Sequence, residues 1–142
     1  MQHFLRHTVA TLAYRGGKTV REVPENFATF RLHDSTRTPL EILAHINDLL
    51  DWSLRMADGI TRWTTSNPAT WDEETSRFFD LLAQLDTRLG NETPLGQPAE
   101  QIFQGPIADA LTHVGQLAMM RRVAGAPIRA ENYFKANIHA GS

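Results

Sequence analysis

The chain contains no cysteine among its 142 residues. This absence excludes disulfide bonds, thiolate metal sites and a nucleophilic thiol belonging to the protein. Thiol chemistry at this protein would therefore depend on a thiol supplied from outside.

The chain also lacks an excess of charge of either sign. Sixteen acidic and fourteen basic residues give a net charge of -2, without a long run of like charges. Binding to nucleic acid needs a clustered basic face, and the neighbouring Arg121, Arg122 and Arg129 are too few to form one. We therefore expect no nucleic-acid partner.

Long apolar stretches are missing as well. No run approaches the roughly 18 residues that predict a membrane span. A length of 142 residues suits one domain with its own hydrophobic core. We expect residues 1–142 to form a single soluble domain in the cytoplasm, without a membrane partner.

Apolar residues recur at helical spacing in four stretches, and no stretch has the alternation of a strand. The predicted helices run from about 3 to 14, from 39 to about 59, from 71 to 89, and up to 124. Gly16-Gly17 is expected to stop the first helix. The last helix begins either near Pro98, with a kink at Gly105-Pro106, or only at Pro106. The pattern predicts an all-α four-helix bundle with a long first connection, from Lys18 to Pro39.

The second helix carries the clearest start signal. Thr38 suits the N-cap, Pro39 the first helical position, and Glu41 completes a capping box. An apolar stripe follows at steps of three and four residues, and His45 interrupts it. The members of this stripe are Ile42, His45, Leu49, Trp52 and Met56.

A second interruption occurs in the fourth helix. Asp109 and His113 are four residues apart, and such positions are neighbours on one face of a helix. By helical spacing they share a stripe with Pro106, Leu117 and Met120, so we predict that both point into the core. A buried carboxylate beside a buried imidazole is costly unless the two groups are paired or coordinate a metal.

If the second and fourth helices pack together, His45 meets Asp109 and His113. Three ligands leave a coordination position open, as in catalytic metal sites. Two imidazoles and one carboxylate suit zinc first, and also nickel, iron or manganese. From spacing alone, a buried Asp-His pair that stabilises the bundle without a metal is an equal alternative.

Other polar residues lie near the proposed ligands in the sequence. Glu41 is a candidate fourth ligand, although its capping role competes. Asn47 and Asp48 are placed to hold an imidazole tautomer. Gln116, one turn beyond His113, is the candidate catalytic residue, since its amide suits the orientation of a water molecule or a substrate.

The order of several short motifs resembles the DinB-like superfamily over nearly the whole chain. A histidine in the second helix is followed seven residues later by tryptophan, and a His-x-Gly-Gln-Leu motif precedes a basic pair and a Gly-x-Pro turn. The residues concerned are His45, Trp52, His113, Gly115, Gln116, Leu117, Arg121, Arg122, Gly125 and Pro127.

This resemblance implies a four-helix bundle, usually dimeric, that carries a divalent metal. The common ligand set of the superfamily is three histidines, and His45 and His113 match the first and third. Asp109 stands at the second position, where related thiol-dependent isomerases and transferases use a carboxylate. The implied activity is thiol-dependent transfer or isomerisation, with a low-molecular-weight thiol as cosubstrate and with Gln116 and His33 positioning a small electrophile.

Two alternatives remain open at this point. The same ligands would suit metal-dependent hydrolysis, because a coordinated cation lowers the pKa of bound water. A dimeric bundle that serves as a binding or stress-associated module, without catalysis, is the other.

Overall fold

A computed structural model describes residues 2–141. The helices are α1 (Gln2–Val20), α2 (Pro39–Ala57), α3 (Trp71–Gly90) and α4 (residues 99–123), with short 3-10 turns at Phe27–Thr29 and Tyr133–Lys135. No strand occurs within residues 2–141. The all-α prediction is therefore confirmed. None of the helices described is long and apolar enough to span a membrane.

The second and third helices begin where the sequence predicts. Thr38 caps α2, because its hydroxyl accepts the Glu41 backbone N–H and the Glu41 carboxylate accepts the Thr38 backbone N–H. Thr70 caps α3 in a similar way by accepting the Glu73 backbone N–H. At the end of α2, Gly59 adopts a φ of 87°, a left-handed conformation in which glycine is unstrained.

The first helix is longer than predicted. The expectation that Gly16-Gly17 stops α1 is wrong, since the helix continues to Val20. Gly16 is buried, and a Cβ atom at this position would lie 2.7 Å from Phe78 Cζ and 3.3 Å from Val114 Cγ2. The glycine therefore permits close packing of α1 against two other helices. These contacts stabilise the helical conformation at Gly16, so the helix continues past it.

The fourth helix follows the first of the two predicted alternatives, with an early start and an irregular turn. It consists of Ala99–Ile102, a π-helical turn at Phe103–Ile107, and Ala108–Val123. Pro106 lies within the π-helical turn. Proline lacks a backbone N–H and its ring clashes with the carbonyl four residues earlier, and a wider turn relieves this clash.

The four helices pack around one core. α2 contacts α3 and α4, and α1 contacts the same two helices. Each helix contributes side chains that are at most 1% exposed, namely Leu12, Leu50, Leu85 and Ile107. Full burial of such a side chain is worth about 1.5–3 kcal/mol. Phe27 anchors the long first connection, because it is buried and meets Trp71 edge to face at 5.7 Å.

Candidate metal centre

The structure brings His45, Asp109 and His113 together where α2 meets α4. His45 Nε2 lies 3.8 Å from Asp109 Oδ2, and His113 Nε2 lies 3.5 Å from Asp109 Oδ1. The three residues each offer one donor atom, and these atoms all lie within 4.8 Å of one another. Because the chain supplies them from two helices, their convergence depends on the packing of α2 against α4.

The donor set fits a divalent metal ion. Tetrahedral coordination with bonds of about 2.1 Å places ligand atoms about 3.4 Å apart. The separations of 3.5 Å and 3.8 Å, each from a different oxygen of Asp109, are close to this spacing, and the three donor atoms lie within 4.8 Å of one another. Imidazole nitrogen and carboxylate oxygen are ligands of zinc and of several first-row transition metals. Small side-chain adjustments would therefore close this triad around a cation.

The prediction that Asp109 and His113 both point into the core is wrong. The Asp109 side chain is 49% exposed, whereas that of His113 is 13% exposed. At 100° per residue, the buried arc of α4 is centred near Ala110, Val114 and Leu117, and Asp109 lies at one edge of it. Asp109 thus lies at the accessible rim of α4 beside α2, whereas His113 is largely buried.

Gln116 holds the His113 ring. Its side-chain Oε1 lies 2.8 Å from His113 Nδ1, so the ring donates an Nδ1 proton to the amide oxygen. This tautomer leaves a lone pair on Nε2, the nitrogen nearest Asp109. Metal-binding histidines are commonly oriented by such an outer hydrogen bond. The observed contact gives Gln116 a positioning role, and its catalytic role stays a prediction.

Aromatic rings surround His45. Its ring meets the His113 ring edge to face at 4.8 Å, and Trp63 lies 5.8 Å away on a tilted plane. Burial lowers the pKa of His45 below its usual value, and the charge of Arg37 acts in the same direction. His45 therefore favours the neutral imidazole, which is the form that coordinates metals.

Two predicted neighbours of the site contact α3 and the α2–α3 connection. Asn47 donates to the Glu74 backbone carbonyl at 2.8 Å, and Asp48 pairs with Arg77 at 3.0 Å. The prediction that these residues hold an imidazole tautomer is wrong, because their helical positions direct them away from α4. Asp48 influences His45 through its charge, which opposes the fall of the His45 pKa.

Glu41 and His33 lie outside the triad. The Glu41 carboxylate accepts the Thr38 backbone N–H at 2.9 Å and pairs with Arg31 at 3.8 Å. Its capping role therefore accounts for its position. His33 is exposed, and its Nδ1 lies 2.9 Å from the Ser35 hydroxyl within the first connection.

Comparison of the chain with known proteins identifies no family for it. No protein-family model, curated protein or solved structure matches this chain. The resemblance to the DinB-like superfamily therefore depends on the sequence motifs alone and stays a prediction. The three converging donors are the observation on which a function can be argued.

Sequence reasoning missed two residues that the structure places near the site. Trp63 belongs to an irregular connection and reaches His45, while Arg37 precedes α2 and acts on His45 through its charge. Neither residue has a periodic relation to the ligands. The one available signal was that Trp63 is a large apolar residue outside any predicted helix, since binding residues often lie on connecting segments.

Proposed function

We propose that this chain is a four-helix-bundle protein of the DinB-like type that binds one divalent metal ion through His45, Asp109 and His113. We further propose that it is a metal-dependent enzyme acting with a low-molecular-weight thiol, as a transferase or isomerase. The convergence of three donors from α2 and α4 is the observation that supports this proposal. A bound divalent cation would favour the thiolate form of a coordinated thiol, which is the nucleophilic form.

The residues of the chain have separate roles in this proposal. His45 offers a neutral nitrogen because burial lowers its pKa. His113 offers Nε2 because its Nδ1–H donates a hydrogen bond to Gln116 Oε1. Asp109 adds a negative charge, and its half-exposed position leaves the site open to small molecules. Zinc suits these donors, and nickel, iron and manganese accept the same types.

The arrangement of helices supports the proposed bundle topology. α1 and α2 each pack against both α3 and α4, which is compatible with a ring of four helices. A homodimeric state and a cytoplasmic location belong to the same proposal, and the dimer is supported by the resemblance alone. Light scattering on the purified chain tests the dimer independently of metal binding.

Metal content is the measurement that tests the site. After reloading with zinc and removal of excess ion, we expect about one zinc per chain in the parent protein. His45→Ala and Asp109→Ala should both lose it. Ligand binding to the folded state should raise stability by about 2.7 kcal/mol at a free zinc concentration of 100 times Kd, an increase that both variants should lack.

Two exposed residues provide matched controls for these substitutions. His33→Ala removes an exposed imidazole, and Asp80→Ala removes an exposed carboxylate of α3. Both variants should keep zinc and its stabilising effect. A parent protein without stoichiometric metal, or equal zinc loss in the control variants, would contradict the site.

Turnover assays separate the proposed activity from its alternatives. Consumption of an electrophile should require zinc, an added thiol and all three ligands together. Ester or amide hydrolysis that proceeds without a thiol would favour a hydrolase. A metal-bound dimer that turns over neither kind of substrate would favour a binding or stress-associated module.

A further inference from the structure

A groove opens beside the metal centre. Its volume is about 550 Å³, within the range of sites that hold small molecules. One wall is α4, which contributes His113 and Gln116, and the other comes from the end of the first connection and the start of α2. The groove therefore shares a ligand residue with the site and extends away from it along α4.

Most of the groove lining beyond His113 is apolar. Ile42 and Met120 are buried at its base, whereas Leu32 and Met119 are 43% and 59% exposed. Exposed apolar side chains beside a concave surface favour contact with an apolar molecule. Methionine is flexible enough to adjust to the shape of such a molecule.

Arg37 adds a positive charge to this apolar lining. Within residues 2–141, Arg37 forms neither a hydrogen bond nor an ion pair. The neighbouring carboxylate of Glu41 is occupied by the Thr38 cap and by Arg31. The guanidinium group therefore keeps its donors available for an anion that enters the groove.

We propose that this groove binds the organic substrate or cosubstrate of the metal centre, and that it selects molecules that combine an apolar body with a carboxylate or sulfonate. The apolar body lies against Leu32, Met119 and Met120, and the anionic group pairs with Arg37. This specificity rests on the proposed function, because the groove is useful to the enzyme only if chemistry takes place at the adjoining site.

Binding of a matched pair of probes tests the selectivity. The probes are 4-phenylbutyrate and its uncharged analogue 4-phenylbutyramide, titrated into chelator-treated protein while backbone amide NMR shifts are recorded. The carboxylate should bind on the order of fivefold more tightly than the amide, as expected for one partly exposed ion pair. The shifts should cluster at Thr112, Gly115, Gln116 and Met119.

Three variants show whether Arg37 causes the preference. Arg37→Ala should bind the two probes equally, whereas Arg129→Ala should keep the fivefold preference. Arg129 is a suitable control because it is exposed, lies outside the groove lining and neighbours Tyr14 and Lys18 of α1. Met119→Glu, at an exposed position, should weaken binding of the carboxylate more than binding of the amide.

Several outcomes would overturn the inference. They are equal binding of both probes by the parent protein, an unchanged preference in Arg37→Ala, or shifts that cluster on α1 and α3. Because the probes are titrated into chelator-treated protein, their binding does not depend on a bound metal. Preferential binding of the carboxylate by a protein that never retains zinc would support the groove and contradict only the metal centre. Zinc retention without carboxylate preference would contradict the groove alone.

Discussion

Two clusters of carboxylates and basic groups flank α2, and they differ in how completely their atoms are bonded. On the α3 side lies the Asp48 cluster, formed by Asp48, Glu74 and Arg77. Asp48 and Glu74 are both 3% exposed. Asp48 accepts the Ser66 backbone N–H and hydroxyl as well as the guanidinium group of Arg77, and Glu74 accepts from Asn47, Arg77 and the Ala69 backbone.

The candidate metal centre on the α4 side has the opposite character. The oxygens of Asp109 lie 3.5 Å and 3.8 Å from the two histidine nitrogens, beyond ordinary hydrogen-bond distance. Its side chain is half exposed, and an open groove adjoins it. Both clusters combine carboxylate and basic groups, so residue type does not distinguish a structural cluster from a candidate site. The two clusters are distinguished by how many hydrogen bonds and ion pairs their atoms make and by how far solvent reaches them.

The largest expected difference between the two clusters is in stability. Arg77→Ala should lower the free energy of unfolding by about 3 kcal/mol, because it leaves two buried carboxylates without their cation. Asp109→Ala, measured in metal-free protein, should change it by no more than about 0.5 kcal/mol. Urea unfolding of both variants at neutral pH measures the difference.

The same pair of variants should behave in the reverse order towards zinc. Arg77→Ala should retain zinc in its folded state, while Asp109→Ala should not. A stability loss in Asp109→Ala as large as that in Arg77→Ala would mean that the Asp109 contacts are structural, and the contrast between the clusters would fail.

Glycine substitutions compare the packed and open sides of the molecule at a smaller scale. Gly16→Ala should destabilise the protein by about 1–2 kcal/mol, since the new methyl group would meet Phe78 at 2.7 Å. Gly115→Ala should stabilise it by up to about 1 kcal/mol, because alanine favours the helix and the added Cβ atom has open space. Within residues 2–141, no atom other than its chain neighbours and the backbone of its own helix lies within 4 Å of that position. Thermal unfolding measures both shifts. Equal effects of the same sign would refute the proposed difference in packing.

Local signals in the sequence predicted much of the fold. The predicted cap at Thr38 uses atoms within three residues, so nearby side chains suffice to predict where α2 begins, and the structure shows a similar local contact at Thr70 before α3. Five apolar residues of α3 also recur at helical spacing in the sequence, and all of them are buried. They are Phe78, Leu81, Leu82, Leu85 and Leu89.

Features that depend on contacts between distant parts of the chain could not be predicted from the sequence. From the sequence, Gly16 predicts the end of a helix. In the structure, Phe78 and Val114 occupy the space beside it, and the helix continues. Asp109 shares a helical stripe with buried residues, yet the packing of α2 leaves it at the rim. The convergence of His45, Asp109 and His113 could be predicted because their types and spacing are informative, whereas Arg37 approaches them only through the tertiary fold.

The smallest predicted effect concerns the pH dependence of the open cluster. Burial and the charge of Arg37 lower the pKa of His45 in the folded state below its value of 6.5 in the unfolded chain. Above pH 6.5 neither state holds the proton, so the group has no effect on stability there. As the pH falls through 6.5, the unfolded chain binds the proton first, and the metal-free protein loses stability until the pH is below the folded pKa.

His45→Gln should remove this loss, because glutamine does not titrate. Between pH 7 and pH 5 the free energy of unfolding should therefore fall more in the parent protein than in the variant. An NMR titration midpoint of His45 at or above 6.5 would contradict the prediction, and it would also remove the electrostatic reason for a neutral ligand at this position.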